Sequence, residues 1–136
     1  MKIVRRGHLI LEITYWVDRR LPVLIKCELS YSVRDPFAVS LILNSDGDHP
    51  VRWVFSRELL AEGLSRPAGE GDVTVWPEIS SSERELVWLE LGRFPHTALF
   101  TVHAGLVAGW LAETYLLVAR GEEATHVDWG PLTLAD

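Results

Sequence analysis

Seven stretches of this chain have an apolar residue at every second position, the pattern of β-strands, and in one of them, residues 84–91, both faces are apolar, so we expect that strand to be covered on each side. The stretches are residues 8–17, 23–31, 37–43, 51–55, 73–76, 84–91 and 97–102. In the second of them, Cys27 and Leu29 share one side of the strand while Lys26 lies on the other. The run Asn44-Ser45-Asp46-Gly47-Asp48 is a strong hairpin signal between two of these stretches. We therefore predict about seven mostly antiparallel strands.

Two further segments have the spacing of helices. Ser56 stands at an N-cap position, Leu59 and Leu60 follow on one side, and Gly63 is a candidate C-terminal stop. A longer helix is predicted over residues 104–119, where apolar groups recur on one broad stripe. A mostly antiparallel sheet with a short middle helix and a longer C-terminal helix makes the fold class α+β.

Length and composition are those of a single domain spanning residues 1–136, with 48% apolar and 24% charged residues. The one cysteine, Cys27, excludes an internal disulfide, and its place among inward positions predicts a buried structural thiol. Glu12 and Thr14 interrupt the apolar run of the first strand, so we expect no signal peptide. Because the sequence has no run of about 18 apolar residues, we expect a cytoplasmic protein without direct membrane insertion.

The net charge of −6 opposes binding to nucleic acid. A protein that binds phosphate backbones depends on clustered Lys and Arg, whereas the basic pairs here, Arg5-Arg6 and Arg19-Arg20, are short and loop-like.

The sequence shows no spacing typical of a metal or catalytic site. The five histidines are scattered, and none forms a His-x-x-x-His pair. The loop Gly69-Glu70-Gly71-Asp72 places two carboxylates where a phosphate needs free amides and a lysine. Glu70 with Asp72, or Glu58 with Glu62, are candidate acid–base pairs, but like charges four residues apart on an exposed helix, as in the second pair, are usually only solvated. We predict no catalytic residues, no metal and no cofactor.

The chain has six tryptophans, an excess that needs a structural explanation. Periodicity assigns Trp53, Trp88 and Trp110 to the core. Trp16 and Trp76 fall opposite the clearest inward positions, so each either lies under a helix or forms contact surface. As contact surface they favour self-association or a protein partner, with stacking of single-stranded bases as the rival use.

One block of the chain is similar to a known family. The block is WVFSRELLAEGLSRPAGEGDVTVWP, residues 53–77, preceded by Asp35-Pro36-Phe37-Ala38-Val39. In these two segments the chain resembles the SsgA-like family of sporulation and cell-division regulators of actinobacteria. The residues that carry the family signature are Asp35, Pro36, Trp53, Phe55, Arg57, Glu58, Leu59, Leu60, Arg66, Pro67, Gly69, Glu70, Gly71, Asp72, Trp76 and Pro77.

The resemblance implies a fold similar to the whirly-type nucleic-acid binders, a curved, barrel-like sheet with helices. It also implies a homotrimer without catalytic residues, acting in the cytoplasm at the division septum. The implied partners are division or cell-wall proteins, such as the tubulin-like FtsZ or another SsgA-like protein. Two alternatives stay open: a single-stranded nucleic-acid binder, suggested by the fold resemblance, and an enzyme that assembles its site from distant residues.

Overall fold

The computed structural model describes residues 3–5, 7–18, 20–78 and 85–127. Its strands are β1 (Ile3–Arg5), β2 (His8–Asp18), β3 (Leu21–Ser30), β4 (Ala38–Leu43), β5 (Val51–Ser56), β6 (Ala68–Glu70), β7 (Val73–Pro77), β8 (Leu86–Arg93) and β9 (His96–His103). Its helices are α1 (Arg57–Gly63), α2 (Ala104–Leu117) and a short 3-10 helix (Glu123–His126). The serine-rich hairpin tip that we predicted around Ser80, Ser81 and Ser82 lies outside the described residues.

The strands form one antiparallel sheet in the order β5-β4-β3-β2-β9-β8-β7-β6, and β1 pairs beside the first residues of β2. The sheet curls into a half-barrel that stays open, with β5 and β6 as its two edges. Most neighbours are consecutive hairpin strands, but β2 pairs with β9 across the middle of the sheet. The predicted α+β class, the antiparallel sheet and both helices are confirmed.

The predicted count of seven strands is too low, because the described part of the sheet has nine. The two additional strands, β1 and β6, have three residues each, too few for an alternating pattern to stand out. β6 lies in the segment that we interpreted as an elbow, and it pairs with β7 through a turn at Gly71, whose φ is +62°. Glycine adopts this left-handed angle at little cost.

The core lies between the inner face of the sheet and the two helices. The inward residues of the strands are buried as the alternation predicted: Leu9, Leu11, Ile13, Cys27, Leu29, Val39, Leu41, Leu43, Phe55, Val73, Val75, Val87, Leu89, Leu91 and Phe100. From α1, Leu59 and Leu60 pack into the same cluster, and from α2, Val107, Trp110 and Leu111 do so. Burial of this apolar surface is the main source of the free energy of folding.

Four residues that we placed on inward faces are exposed: Val17 and Val23 in the β2–β3 hairpin, Phe37 before β4, and Val51, the first residue of the edge strand β5. At the far end of that hairpin no described element packs over the sheet, so alternation there does not lead to burial. Phe37 precedes the first residue of β4, Ala38, and so lies outside the strand whose periodicity we extended to it.

Both ends of α1 lie where the sequence placed them, but only the start has the predicted cap. The Ser56 hydroxyl accepts a hydrogen bond of 3.0 Å from the Leu59 amide, as expected of an N-cap. Gly63 is the last residue of α1, and the C-cap is Leu64 with a right-handed φ of −73°. A Cβ at Gly63 would overlap the Val75 side chain. The helix therefore ends where we predicted, but Gly63 has no left-handed angle and is explained by close packing of α1 on β7.

Candidate functional site

Three tryptophans from three strands form a row on the outer face of the sheet. Trp76 and Trp88 are directly opposite each other on β7 and β8, and their ring centroids are 6.1 Å apart with planes 5° from parallel. Trp16 of β2 reaches across β9, where its indole Nε1 donates to Thr101 Oγ1 at 3.0 Å, and stacks on Trp88 at 6.1 Å. All three side chains are half-buried. We call this set the tryptophan row.

The tryptophan row lines an open groove of about 520 Å³ that also includes Leu99, Glu78 and Glu90. Glu90 follows Trp88 by two residues, so both side chains are on the outer face of β8. Leu99 is opposite both Trp16 and Glu90 in the register of β9. The groove therefore combines large aromatic surfaces with carboxylates, and we call it the tryptophan groove.

This arrangement shows which of the two predicted roles Trp16 and Trp76 have. Trp16 and Trp76 line a surface groove, so of the two alternatives left open it is the surface one that the structure supports. Trp110 is buried in the core, and Trp53 is half-buried against it, as predicted. The assignment of Trp88 to the core is wrong, because its neighbours Val87 and Leu89 take the inward positions and the alternation turns Trp88 outward.

The signature residue Arg57 lies at a second polar cluster, which is buried. Arg57 is the first residue of α1 and is 1% exposed. Its Nη1 donates to the main-chain oxygens of Thr114 at 3.1 Å and Val118 at 2.9 Å, at the C-terminal end of α2. Nη2 donates to Glu123 Oε2 at 2.9 Å. The Thr114 oxygen also accepts from the Val118 amide at 3.0 Å, so Arg57 adds a second bond there and, through the Val118 oxygen, caps the C-terminal end of α2 from another element.

Two tyrosines enclose the Arg57 guanidinium. Its Cζ lies 4.1 Å from the ring centroid of Tyr115 and 4.8 Å from that of Tyr31, within the range of cation–π contacts. The Tyr31 hydroxyl donates to the main-chain oxygen of the signature residue Pro36 at 2.8 Å, and burial raises the pKa of that hydroxyl. The hydrogen bond from Arg57 holds the pKa of Glu123 below its ordinary value. These contacts join α1, α2, the β3–β4 connection and the 3-10 helix.

Other signature residues lie in the core or on the surface around α1 and the β6–β7 hairpin. Phe55, Leu59 and Leu60 are core residues, and Pro77 is half-buried at the end of β7. Asp35 and Pro67 are exposed. The exposed ion pairs Arg66–Glu62 at 3.4 Å and Arg93–Asp72 at 3.3 Å are of the kind that contributes little to stability.

An acidic cleft beside α1 brings together Glu58, Glu62 and Glu70, together with Gly69 at its edge. All three carboxylates are exposed, as we expected for Glu58 and Glu62. Within the described ranges no group of three His, Cys, Asp or Glu residues is arranged to hold a metal ion. Likewise, no helix in that part of the chain is both long and apolar enough to cross a membrane.

The comparison with protein families shows the family to which the chain belongs. Residues 25–123 match the family model described as "Streptomyces sporulation and cell division protein, SsgA". The matched range contains the whole signature block, Arg57 and most of the tryptophan row. The chain belongs to the SsgA family.

Named relatives agree with this membership. The chain is 38% identical over 112 residues to the sporulation-specific cell division protein SsgB of Thermobifida fusca, covering 82% of this chain and 80% of that protein. It is 41% identical over 106 residues to SsgB of Salinispora tropica, covering 76% and 73%.

Solved structures of the SsgA family share the fold. An SsgA-like sporulation-specific cell division protein from Thermobifida fusca superposes with a TM-score of 0.84 at 31% identity, covering 98% of both chains. A structure of SsgB, determined in connection with longitudinal cell division during sporulation of Streptomyces coelicolor, gives a TM-score of 0.80 at 33% identity, covering 88% of this chain and 94% of the other.

In this SsgA family protein, the sequence did not predict which residues contact Arg57, nor that Trp88 completes the tryptophan row. Glu123, 66 residues from Arg57, had no local signal that linked the two. Trp88 was placed opposite Val87 and Leu89, but both faces of that strand are apolar, which led to its assignment to the core.

Proposed function

We propose that this SsgA family protein is a non-enzymatic adaptor in sporulation-specific cell division. In this proposal it assembles as a homo-oligomer, a trimer, and holds division or cell-wall proteins at the septum on the cytoplasmic side. FtsZ and another SsgA-like protein are the partners to test first. The role in cell division during sporulation is supported by the family model and by the names of the relatives. No catalytic residue enters the proposal.

The observation that carries the adaptor proposal is an apolar face of α2 that the described chain leaves uncovered. One side of α2 packs in the core through Val107, Trp110 and Leu111. The opposite side is also apolar, and its exposed members are Gly105, Ala108, Gly109, Ala112 and Leu116. A helix that is apolar on all sides is typical of an element buried on all sides. Leu116 is 86% exposed in the single subunit, which supports burial of this face by a second copy.

The two glycines of this face favour a partner that approaches closely. A Cβ added at Gly105 or Gly109 would meet no atom of the described residues within 4 Å, so packing within the subunit does not require glycine there. Glycine within a helix costs about 0.8–1.0 kcal/mol relative to alanine. Close contact between helices of neighbouring subunits is a physical reason to keep it.

A second apolar surface, at the end of the β2–β3 hairpin, is separate from α2 in the fold. Val17 and Leu21 are 51% and 52% exposed there, and Val23, on the inward side of the same hairpin, is 40% exposed. If one surface joins the subunits, the other is free for a different protein. Several identical surfaces on one oligomer strengthen weak binding through avidity.

Light scattering tests the assembly. We expect the wild-type protein at micromolar concentration to have three times the 15.4 kDa subunit mass. Gly109→Glu places a charge in the α2 face while improving the helix propensity, so the variant should stay folded and have the mass of one subunit. Ser65→Glu adds the same charge at an exposed position beside α1 and should not change the mass. A wild-type protein with the mass of one subunit would contradict the oligomer.

Co-sedimentation with FtsZ polymers tests the partner. We expect the wild-type protein to pellet with the polymers, and Gly109→Glu to pellet less, because a single subunit lacks avidity. Protein that stays in the supernatant at micromolar concentration rules out direct recruitment of FtsZ. The same experiment with a second SsgA-like protein, read by light scattering, then tests the other partner.

A further inference from the structure

The tryptophan groove has a chemistry that none of the family names assigns to a ligand. Its aromatic surfaces come from Trp16, Trp88 and Trp76, and the first and last are separated along the sheet by β9 and β8. Rigid β-strands hold all three rings, and the indole of Trp16 is oriented by its hydrogen bond to Thr101. The groove is therefore a preorganised surface, which loses little conformational entropy when a ligand binds.

The charge of the groove selects the kind of ligand. The carboxylate of Glu90 lies in the groove, and among the described residues no lining side chain is basic. The whole chain adds a net charge of −6. Aromatic faces attract cations through their negative quadrupole, and adjacent carboxylates attract them further. Both features of the groove therefore favour a cation.

We propose that the tryptophan groove binds an arginine side chain of a partner protein. The guanidinium stacks on an indole of the tryptophan row and donates to the Glu90 carboxylate. Arginine fits better than lysine, because its planar guanidinium stacks on aromatic rings and makes paired hydrogen bonds to a carboxylate. The proposal rests on the adaptor role, since it states the chemistry of the protein that the adaptor holds.

The same charges disfavour the two rival occupants. Single-stranded nucleic acid also stacks on exposed aromatic rings, but its phosphates would be repelled by Glu90 and by the acidic surface. A neutral apolar partner would cover the Glu90 carboxylate without compensating its charge, and burial of an unpaired charge is costly. An arginine uses both the rings and the carboxylate.

Titration followed by the indole N–H signals of ¹⁵N-labelled protein tests the proposal. The probe is acetyl-Gly-Arg-Gly-amide, and its control is the same peptide with citrulline, which is neutral and nearly isosteric with arginine. We expect the arginine peptide to shift the signals of Trp16, Trp76 and Trp88 with a Kd on the order of 1–10 mM, and the citrulline peptide to shift them much less. The signals of Trp53 and Trp110, which are on the other face, should not move.

Two variants make the test specific. Glu90→Gln keeps the shape of the groove and should weaken binding about fivefold to tenfold. Glu58→Gln removes one charge from α1, on the inner side of the sheet, and should leave binding unchanged. An absent response, equal responses to both peptides, or stronger binding of oligothymidylate would each overturn the proposal.

Light scattering on the same samples separates this proposal from the adaptor proposal. If the arginine peptide binds to a protein with the mass of one subunit, the groove assignment stands and the oligomer is wrong. If the protein is a trimer that pellets with a division protein but does not respond to the peptide, the groove assignment is wrong and the adaptor role stands.

Discussion

Substitution of Arg57 by methionine tests whether one buried side chain holds α2 against α1. The change removes the donors to the main-chain oxygens of Thr114 and Val118 and to the carboxylate of Glu123. It also removes the cation between the two tyrosine rings. Methionine keeps an unbranched apolar chain at the site, so the packing of the side-chain stem is largely preserved.

The expected loss of stability follows from the ion pair between Arg57 and Glu123. Removing one partner from a buried ion pair costs about 3–5 kcal/mol, because the remaining charge loses its compensation. The Glu123 side chain is 16% exposed, so water compensates part of that charge and the lower end applies. We expect Arg57→Met to lower the free energy of unfolding by about 3 kcal/mol. A typical domain has about 5–15 kcal/mol in total.

Urea unfolding, followed by circular dichroism at a fixed protein concentration, measures this loss as a lower midpoint with an unchanged m-value. Arg66→Met is the matched control, because Arg66 makes an exposed ion pair and should lose no more than about 1 kcal/mol. Arg57→Lys should be intermediate, because an ammonium group cannot reach both helix carbonyls and Glu123 as the guanidinium does. The reasoning is refuted if Arg57→Met loses no more stability than Arg66→Met.

Three further predictions use other features of the core and of this cluster. Gly63→Ala should lower the free energy of unfolding by about 1–3 kcal/mol, measured by urea unfolding, because the new methyl group overlaps Val75. Cys27, whose pKa is raised to about 12 by burial, should react with a thiol reagent at pH 8 only after unfolding, and fast labelling of the native protein would contradict this. Because Arg57 lowers the pKa of Glu123 in the folded state, the stability from this pair is present above the unfolded pKa of about 4.3 and is lost as the pH falls through the folded value. The wild type should therefore be more stable than Glu123→Gln at pH 5 and should lose this advantage as the pH falls to strongly acidic values. An advantage that persists at strongly acidic pH would contradict the lowered pKa of Glu123.

The fold was predictable where local patterns are long. The strand at residues 23–31 and the helix starting at Ala104 were located from periodicity, and the Ser56 cap from its position before an apolar turn. Strands β1 and β6 were missed because three residues carry no period. The ends of β2 and β3 were wrongly assigned to the core, because alternation states which residues share a face and not whether another element covers that face.

The candidate site was predictable only in part. Trp16 and Trp76 were singled out because they stand opposite the inward positions, and both line the groove. Trp88 between them was assigned to the core because both faces of its strand are apolar, whereas in the structure its outer face lines the groove. Leu99 and Thr101 could not be linked to Trp16, because the pairing of β2 with β9 depends on the strand order of the whole sheet.

The sequence by itself determined the longer elements, the residues that share a side of each, and the resemblance to the family, since these depend on neighbours a few residues apart. The tertiary structure decided which sides meet. It placed Arg57 beside Glu123, Gly63 against Val75, and three tryptophans in one row. Local spacing describes directions around one strand or helix axis, whereas contacts between elements depend on how the sheet orders and curls its strands.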